Sequence, residues 1–153
     1  FGGYYDPRGR VVFGEMRTRR GSSGAYVSFD QMLWREGPDD RQGLGLFFRW
    51  GWRDPEVHAV TRFRSGGFEY RGAFEGRDRD ALGVGFYSLK ESSEFRDRVQ
   101  PDAAGELGFE LFYRYEVTPW FAITPDLQFI KNPGGLSNAR DALVFVVRGR
   151  VRF

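Results

Sequence analysis

The chain alternates apolar and polar residues at a period of two, most clearly in its last segment, DALVFVVRGRVRF. This period places successive side chains on opposite faces of a β-strand. One face of this strand carries Leu143, Phe145, Val147, Val151 and Phe153; the other carries Val144, Val146, Arg148, Arg150 and Arg152. The same alternation recurs along the chain and helical periodicity never persists. We therefore predict an all-β, antiparallel protein with about eight strands.

The predicted strands are bounded by turn residues. They lie at residues 1–5, 25–34, 43–52, 59–74, 81–89, 106–116, 120–130 and 141–153. The stretch before residue 25 is polar, and GSSG at residues 21–24 is interpreted as a flexible loop. Residues 36–40 are expected to form a turn, and Pro125 is expected to cause a bulge or a local break in its strand.

The connections differ in length. Those at residues 75–80 and 117–119 are short, and those at 90–105 and 131–141 are long. Short turns at one end and long loops at the other are typical of outer-membrane barrels, and strands of about ten residues are long enough to cross a bilayer. Trp120, Phe121 and Tyr115 lie at the short-turn end, where an interfacial aromatic girdle is expected, and Trp50 and Trp52 lie towards the other end.

Composition is compatible with this reading. Aromatic residues make up 18% of the chain, and many of its 21 glycines lie inside strand-like segments. The chain has no cysteine, and its 23 basic and 21 acidic residues are interspersed, which argues against a nucleic-acid-binding patch. No apolar stretch approaches the length that a transmembrane helix requires. In a soluble sandwich the polar strand faces would form the outside and meet water. In a membrane barrel the apolar faces would form the outside and meet lipid. The placement of the aromatic residues favours the barrel.

Three segments, FEYRGAFEGRDRDALGVGFY (68–87), ELFYRYEVTPWFAITPDLQFIKNPGG (110–135) and DALVFVVRGRVRF (141–153), closely resemble the C-terminal part of the carbohydrate-selective porins of the OprB type. SGAYVSFDQMLWREG (23–37) is similar to an earlier strand of that family. The resemblance implies an antiparallel transmembrane β-barrel of sixteen strands in the outer membrane of a Gram-negative-type bacterium, through which sugars diffuse.

Residues 1–153 would then be a single segment forming about the C-terminal half of that barrel, and residues 1–5 are interpreted as the end of a strand already under way. The terminal Phe153 resembles the signal that barrel-assembly machinery recognises. The expected partners are carbohydrates and outer-membrane lipid, with homo-oligomerisation left open, and no nucleic acid, metal or cofactor is expected.

Strand parity assigns a set of polar residues to the barrel interior, where hydroxyl, amide and charged groups could bind sugars together with the aromatic faces of Tyr87, Phe47 and Phe112. The predicted pore-lining residues are Arg49, Glu69, Arg71, Tyr87, Glu110, Arg114, Asp126, Gln128, Arg148 and Arg150. A simpler interpretation is that these charges pair across neighbouring strands and hydrate the wall.

Other chemistry is weakly indicated. The single histidine, His58, lies in a predicted loop, and Glu106 and Glu110 are too far apart along a strand for a glycosidase pair. Four alternatives remain: a soluble or surface β-domain that binds polysaccharide, a general porin, a channel for anionic polysaccharide, and a small eight-stranded barrel with a filled interior.

Overall fold

The protein forms one antiparallel sheet of eight strands joined in chain order, so that each strand pairs with its neighbours in sequence. The computed structural model describes residues 1–37 and 42–153; the turn predicted at 36–40 therefore falls mostly on residues outside those described. The strands are β1 Gly2–Val11, β2 Thr18–Arg35, β3 Gly43–Arg53, β4 Val60–Arg71, β5 Ala81–Glu91, β6 Leu107–Thr118, β7 Phe121–Lys131 and β8 Ala142–Val151. This confirms the predicted all-β, antiparallel fold class and the number of strands.

The sheet is open. Strand order runs from β1 to β8, and in the part of the chain that the structure describes these two edge strands do not pair with each other. The eight strands therefore do not close as a small filled barrel. Seven of them are 10 to 12 residues long, which matches the predicted length for crossing a bilayer, and β2 has 18.

The interpretation of residues 21–24 as a flexible loop was wrong, because the polar stretch before residue 25 belongs to β2. Ser22 and Ser23 pair with Asp6 and Tyr5 of β1, and Gly21 has a positive φ of 87° next to a shift in register. Pro7 and Arg8 of β1 lie opposite Gly21 alone, so the bulge is in β1, and the left-handed conformation of Gly21 lets β2 continue past it. The segment shows no apolar alternation, because its pairing depends on the backbone and not on apolar burial.

Pro125 does not shift the register of its strand. It pairs opposite Val147 of β8, while on the β6 side the ladder is interrupted between the pairs Phe112–Asp126 and Tyr115–Ile123. The predicted local break is thus an interruption of pairing on one side only, since proline has no N–H to donate. The bulge in this hairpin lies instead between Glu116 and Thr118.

The connection between β5 and β6, predicted to be long, has local structure of its own. It contains a short helix, α1 (Ser93–Arg98), whose N-cap Ser92 accepts a hydrogen bond from the Phe95 N–H. Phe95 packs edge-on against Phe13 of the β1–β2 turn, with ring centroids 5.0 Å apart. A later part of the same connection joins the β7–β8 loop through a bridge between Ala103 and Leu136. The loops at this end therefore pack on one another.

The sheet is inside-out compared with a water-soluble domain. Its buried apolar residues are few, namely Val12, Val57, Ala81, Ala103 and Ala122, whereas Leu143 and Phe145 are 71% and 67% exposed. The largest fully buried side chains are polar and include Asp80 and Asp126. A soluble sandwich would cover its apolar face, because an exposed apolar surface of this extent is unfavourable in water.

The register aligns the exposed apolar residues into rows that cross the sheet from β3 to β8. One row is Phe48, Gly66, Phe86, Phe109, Phe129 and Leu143, and the next is Leu46, Phe68, Val84, Leu111, Leu127 and Phe145. We call this surface the apolar face. In the described residues no helix is long and apolar enough to span a membrane.

Aromatic residues border the apolar face where β6 and β7 are joined by only Pro119 and Trp120. The ring centroids of Trp34 and Tyr70 lie 6.0 Å apart, and those of Phe74 and Tyr113 lie 5.7 Å apart. The guanidinium of Arg77 stacks 4.0 Å from the ring centroid of Tyr115. This arrangement agrees with the girdle predicted at the short-turn end. The connections at residues 92–106 and 132–141 lie at the opposite end, which we call the loop end.

Candidate functional site on the polar face

All ten residues predicted to line a pore lie on the face opposite the apolar face, which we call the polar face. Their cross-strand pairs place them there: Glu110 opposite Gln128, Ser65 opposite Tyr87, Ala81 opposite Arg114, and Thr124 opposite Arg148. Gly45 opposite Glu69 and Ser28 opposite Arg49 continue the face towards β2. Strand parity was therefore sufficient to sort these side chains onto one surface.

Arg148 is the centre of an ion-pair network on β6, β7 and β8. Its Nη2 lies 2.6 Å from Asp126 Oδ2 and 3.0 Å from Glu110 Oε1. Gln128 donates to the same Asp126 oxygen at 3.2 Å. The carboxylate of Asp126 is fully covered, whereas the Arg148 side chain is 53% exposed. The network thus holds Asp126 in the wall and presents the Arg148 cation to open space.

A second part of the network lies nearer the short-turn end. Arg150 Nη2 donates to Glu116 Oε1 at 2.7 Å, and Arg114 contacts Glu69 at 3.2 Å and Glu116 at 3.5 Å. Arg71 reaches Glu69 at 3.4 Å. Glu69 and Glu116 each neutralise more than one arginine, so the charges alternate across the sheet and do not form a uniformly basic track.

Arg49 forms a separate ion pair with Asp30 of β2, through Nη2 at 2.8 Å from both carboxylate oxygens. Asp30 was not among the predicted site residues, although its position in the β2 alternation places it on the same face. Each pair with a largely exposed partner contributes little to stability because water and salt screen it.

Three aromatic rings on the polar face lie over glycines of the neighbouring strands. Tyr87 covers Gly108, Phe112 covers Gly83 and Phe47 covers Gly67; a Cβ on any of these glycines would clash with the ring. Because glycine has no side chain, each ring can lie flat against the backbone of the neighbouring strand and cover the glycine, an arrangement that stabilises glycines in sheets. The sequence identified the rings and the glycines, but only the register shows that they pair.

The rings and the network enclose two adjacent hollows. The larger, about 430 Å³, is lined by Glu110, Phe112, Arg114, Thr124, Arg148 and Arg150. The smaller, about 180 Å³, includes Phe47, Ser65, Tyr87, Gly108 and Gln128 among its lining residues. Both hollows combine an aromatic surface with hydrogen-bonding groups.

Asp80 in the β4–β5 connection is a residue that the sequence did not single out. Its carboxylate accepts hydrogen bonds from Arg77 Nε at 2.7 Å, from the Glu116 N–H at 2.9 Å and from the Tyr113 hydroxyl. Burial would raise the pKa of Asp80, but these hydrogen bonds outweigh burial and hold the pKa below its ordinary value. Asp80 thus ties the connection to the end of β6.

Neither His58 nor the glutamate pair forms a reactive centre. His58 is buried, and its Nε2 lies 3.4 Å from the hydroxyl of Ser22; burial lowers its pKa. Glu106 accepts a hydrogen bond from the Tyr87 hydroxyl at 2.6 Å, whereas Glu110 pairs with Arg148. Within residues 1–37 and 42–153, no cluster of three or more histidine or acidic side chains could hold a metal ion.

An antiparallel sheet with an exposed apolar face, an aromatic border and a charged opposite face is the wall of a membrane barrel, whose polar face lines the lumen. The class of protein that this fold defines is therefore the antiparallel β-barrel of a membrane, of which this chain forms part of the wall.

Comparison with known proteins identifies the family. The family model described as "Carbohydrate-selective porin, OprB family" matches residues 5–153, and the chain belongs to that family. This places it in the bacterial outer membrane and confirms the resemblance seen in the sequence.

Individual relatives agree. Porin B of Pseudomonas aeruginosa is 27% identical over 147 residues, which cover 85% of this chain and 32% of the relative. The putative porin QuiX of Acinetobacter baylyi is 24% identical over 147 residues, covering 84% and 34%. The chain thus spans about a third of the length of these curated relatives.

Two solved structures of Pseudomonas putida OprB are similar to this fold. The high-pH structure superposes with a TM-score of 0.90 at 23% identity, covering 97% of this chain and 43% of that one. The low-pH structure gives a TM-score of 0.61 at 28% identity, covering 84% and 36%. The likeness at 23% identity supports the fold alone.

Proposed function

We propose that this chain forms part of the wall of an outer-membrane channel through which carbohydrates diffuse, and that its polar face lines the path. The observation that carries the proposal is the juxtaposition of glycine-seated rings, Tyr87 and Phe112, with the arginines of the ion-pair network. Passage requires no reaction, so these residues act by binding and by shaping the lumen.

The chemistry of the polar face suits sugars. Pyranose rings offer C–H surfaces that pack on aromatic faces, and their hydroxyls both donate and accept hydrogen bonds. Both ion-pair contacts of Arg148 use Nη2, and among the described residues its Nε and Nη1 groups have no protein acceptor. These N–H groups can donate to sugar hydroxyls, while Gln128 and Glu110 supply acceptors nearby.

The remaining features of the channel belong to the same proposal. A sixteen-stranded barrel in which residues 1–153 form one segment would leave β1 and β8 to pair with strands outside this chain. Recognition of Phe153 by assembly machinery and homo-oligomerisation stay predictions. A channel for anionic polysaccharide is less favoured, because each arginine of the network has a carboxylate partner.

Planar-bilayer conductance of the full-length protein, with glucose and longer saccharides titrated in, tests the proposal. Sugar should reduce the current saturably. Replacing Phe112 or Tyr87 by serine removes a ring and should weaken this block by on the order of tenfold each. Phe145→Leu on the apolar face is the matched control and should leave the block unchanged.

Channels that conduct but respond to no sugar would show a general porin and contradict carbohydrate selectivity. If the serine variants and the control gave the same saturable block as the wild type, sugar would bind elsewhere in the lumen, and these rings would have no part in the binding.

A further inference from the structure

Four cations lie on the apolar face at the loop end. Arg64 pairs opposite Trp50 and Ser88, and the row continues through Leu107 to Lys131. One step nearer the loops, Arg62 pairs opposite Trp52 and Lys90. Residues directly opposite each other in an antiparallel pair have Cβ atoms about 4.5–5.5 Å apart, so Arg62 and Lys90 are immediate neighbours.

These cations differ from the arginines of the polar face in having no acidic partner. All four are exposed, and in the described ranges no carboxylate lies within 4.0 Å of Arg62, Arg64, Lys90 or Lys131. None of the residues paired with them in these rows is acidic. Their neighbours are instead Trp50, Trp52, Ser88 and Leu107. Asp141, which precedes β8 beside Lys131, accepts a hydrogen bond from the Asn132 N–H. The four cations therefore give the apolar face an unbalanced positive charge at the loop end. On the polar face, by contrast, every arginine of the network is neutralised.

The position of the four cations indicates the ligand. The row at Phe48 and Phe86, immediately towards the short-turn end, is wholly apolar, and so is the row after it. A molecule that met the cations with an anionic head would therefore have its apolar part against these rows. The long loops lie at the same end, which is the external side in barrels of this class.

We propose that Arg62, Arg64, Lys90 and Lys131 form a docking surface for the phosphate groups of the glycolipid in the external leaflet of the outer membrane. The guanidinium groups bind phosphate oxygens through paired N–H donors, and the lysines add point charges. Trp50 and Trp52 lie beside them at interfacial depth, where their rings are favourable. The acyl chains would then pack on the two apolar rows.

The test compares two variants of the full-length protein that lose equal charge. R62Q/R64Q removes two cations from the docking surface, and R35Q/R79Q removes two exposed cations at the short-turn end. Binding to nanodiscs that contain bis-phosphorylated lipid A is measured beside nanodiscs in which the phosphates have been removed. Single-channel conductance and heat-modifiable migration check that each variant forms its channel.

The docking surface predicts that R62Q/R64Q binds phosphorylated lipid A about 30-fold more weakly than the wild type, because each interfacial cation contributes about fivefold. R35Q/R79Q should bind as the wild type does, and dephosphorylated lipid should abolish the difference. Conductance should be unchanged in R62Q/R64Q, which separates this surface from the sugar path.

Three results would overturn the proposal: equal binding by R62Q/R64Q and the wild type, equal loss in both double variants, or no effect of removing the lipid phosphates. Displacement of lipid A by equimolar inorganic phosphate would also overturn it, because it would show an ion site without a role for the apolar rows. If R62Q/R64Q did not assemble, the same comparison would be made with K90Q/K131Q, which removes the other two cations of the docking surface.

Discussion

Leu111 and Phe112 are consecutive residues of β6 that face opposite sides of the sheet at the same depth. Leu111 lies in an apolar row between Val84 and Leu127, and Phe112 lies on the polar face over Gly83. Replacing each residue in turn by arginine introduces the same charged side chain at the same depth, on the apolar face in one variant and on the polar face in the other. The pair therefore tests whether the apolar face meets lipid.

The depth of this row follows from the register. From Lys131 to Phe121 of β7 is ten residue steps, about 33 Å along the strand, or about 25 Å across the membrane at a tilt near 40°. Leu127, opposite Leu111, is four steps from Lys131 and lies about 10 Å below it, close to the middle of the apolar band. Arginine on the lipid face near the midplane costs about 2–4 kcal/mol.

We expect L111R to reduce the equilibrium constant for folding into lipid vesicles by about 30- to 900-fold, which is the same free energy expressed as a ratio. F112R should cost less than about 1 kcal/mol, because its guanidinium enters a hydrated and charged lumen. Reversible guanidinium titration of the vesicle-inserted full-length protein measures both. Equal destabilisation by the two variants, or a larger effect of F112R, would refute the assignment of the faces.

Three further predictions concern local contacts. Gly108→Ala should destabilise the protein by about 1–3 kcal/mol because the added Cβ meets the ring of Tyr87, and Tyr87→Ser in the same chain should recover most of this loss in a double-mutant cycle. Asp80→Asn should cost about 2–3 kcal/mol by weakening the hydrogen bonds from Arg77 and Tyr113. Because the folded pKa of Asp80 is depressed, its contribution to the free energy of unfolding is complete above about pH 4 and is lost as pH falls through the folded pKa. The stabilities of the wild type and D80N should therefore converge in acid. A constant difference in stability down to pH 2 would contradict this. Burial also depresses the folded pKa of His58, so the unfolded protein takes up a proton at this residue first as pH falls. The wild type should therefore lose stability relative to His58→Gln below about pH 6.5. Parallel pH profiles of the two proteins would show that His58 is not held neutral.

The sequence alone was sufficient for the strands whose two faces differ in polarity. In β3, β6 and β8 one face is apolar along the strand and the charged residues lie on the other, so parity sorted Arg49, Glu110 and Arg148 onto one face without knowledge of the pairing. It was insufficient for the first part of β2, where Ser22 and Ser23 pair through the backbone and leave no apolar signature. It also missed α1, since one short helix capped by Ser92 is too brief to show a period.

What the sequence determined by itself was which residues share a face of the sheet, because a period-two pattern assigns faces whatever the partner strand. Only the tertiary structure decided what lies beside what. Register brings Arg148 of β8 to Glu110 two strands away, places Tyr87 over Gly108, and aligns Arg64 with Lys131 in one row at the loop end. Periodicity along a strand carries no information about the offset between strands, which turns, bulges and packing set together.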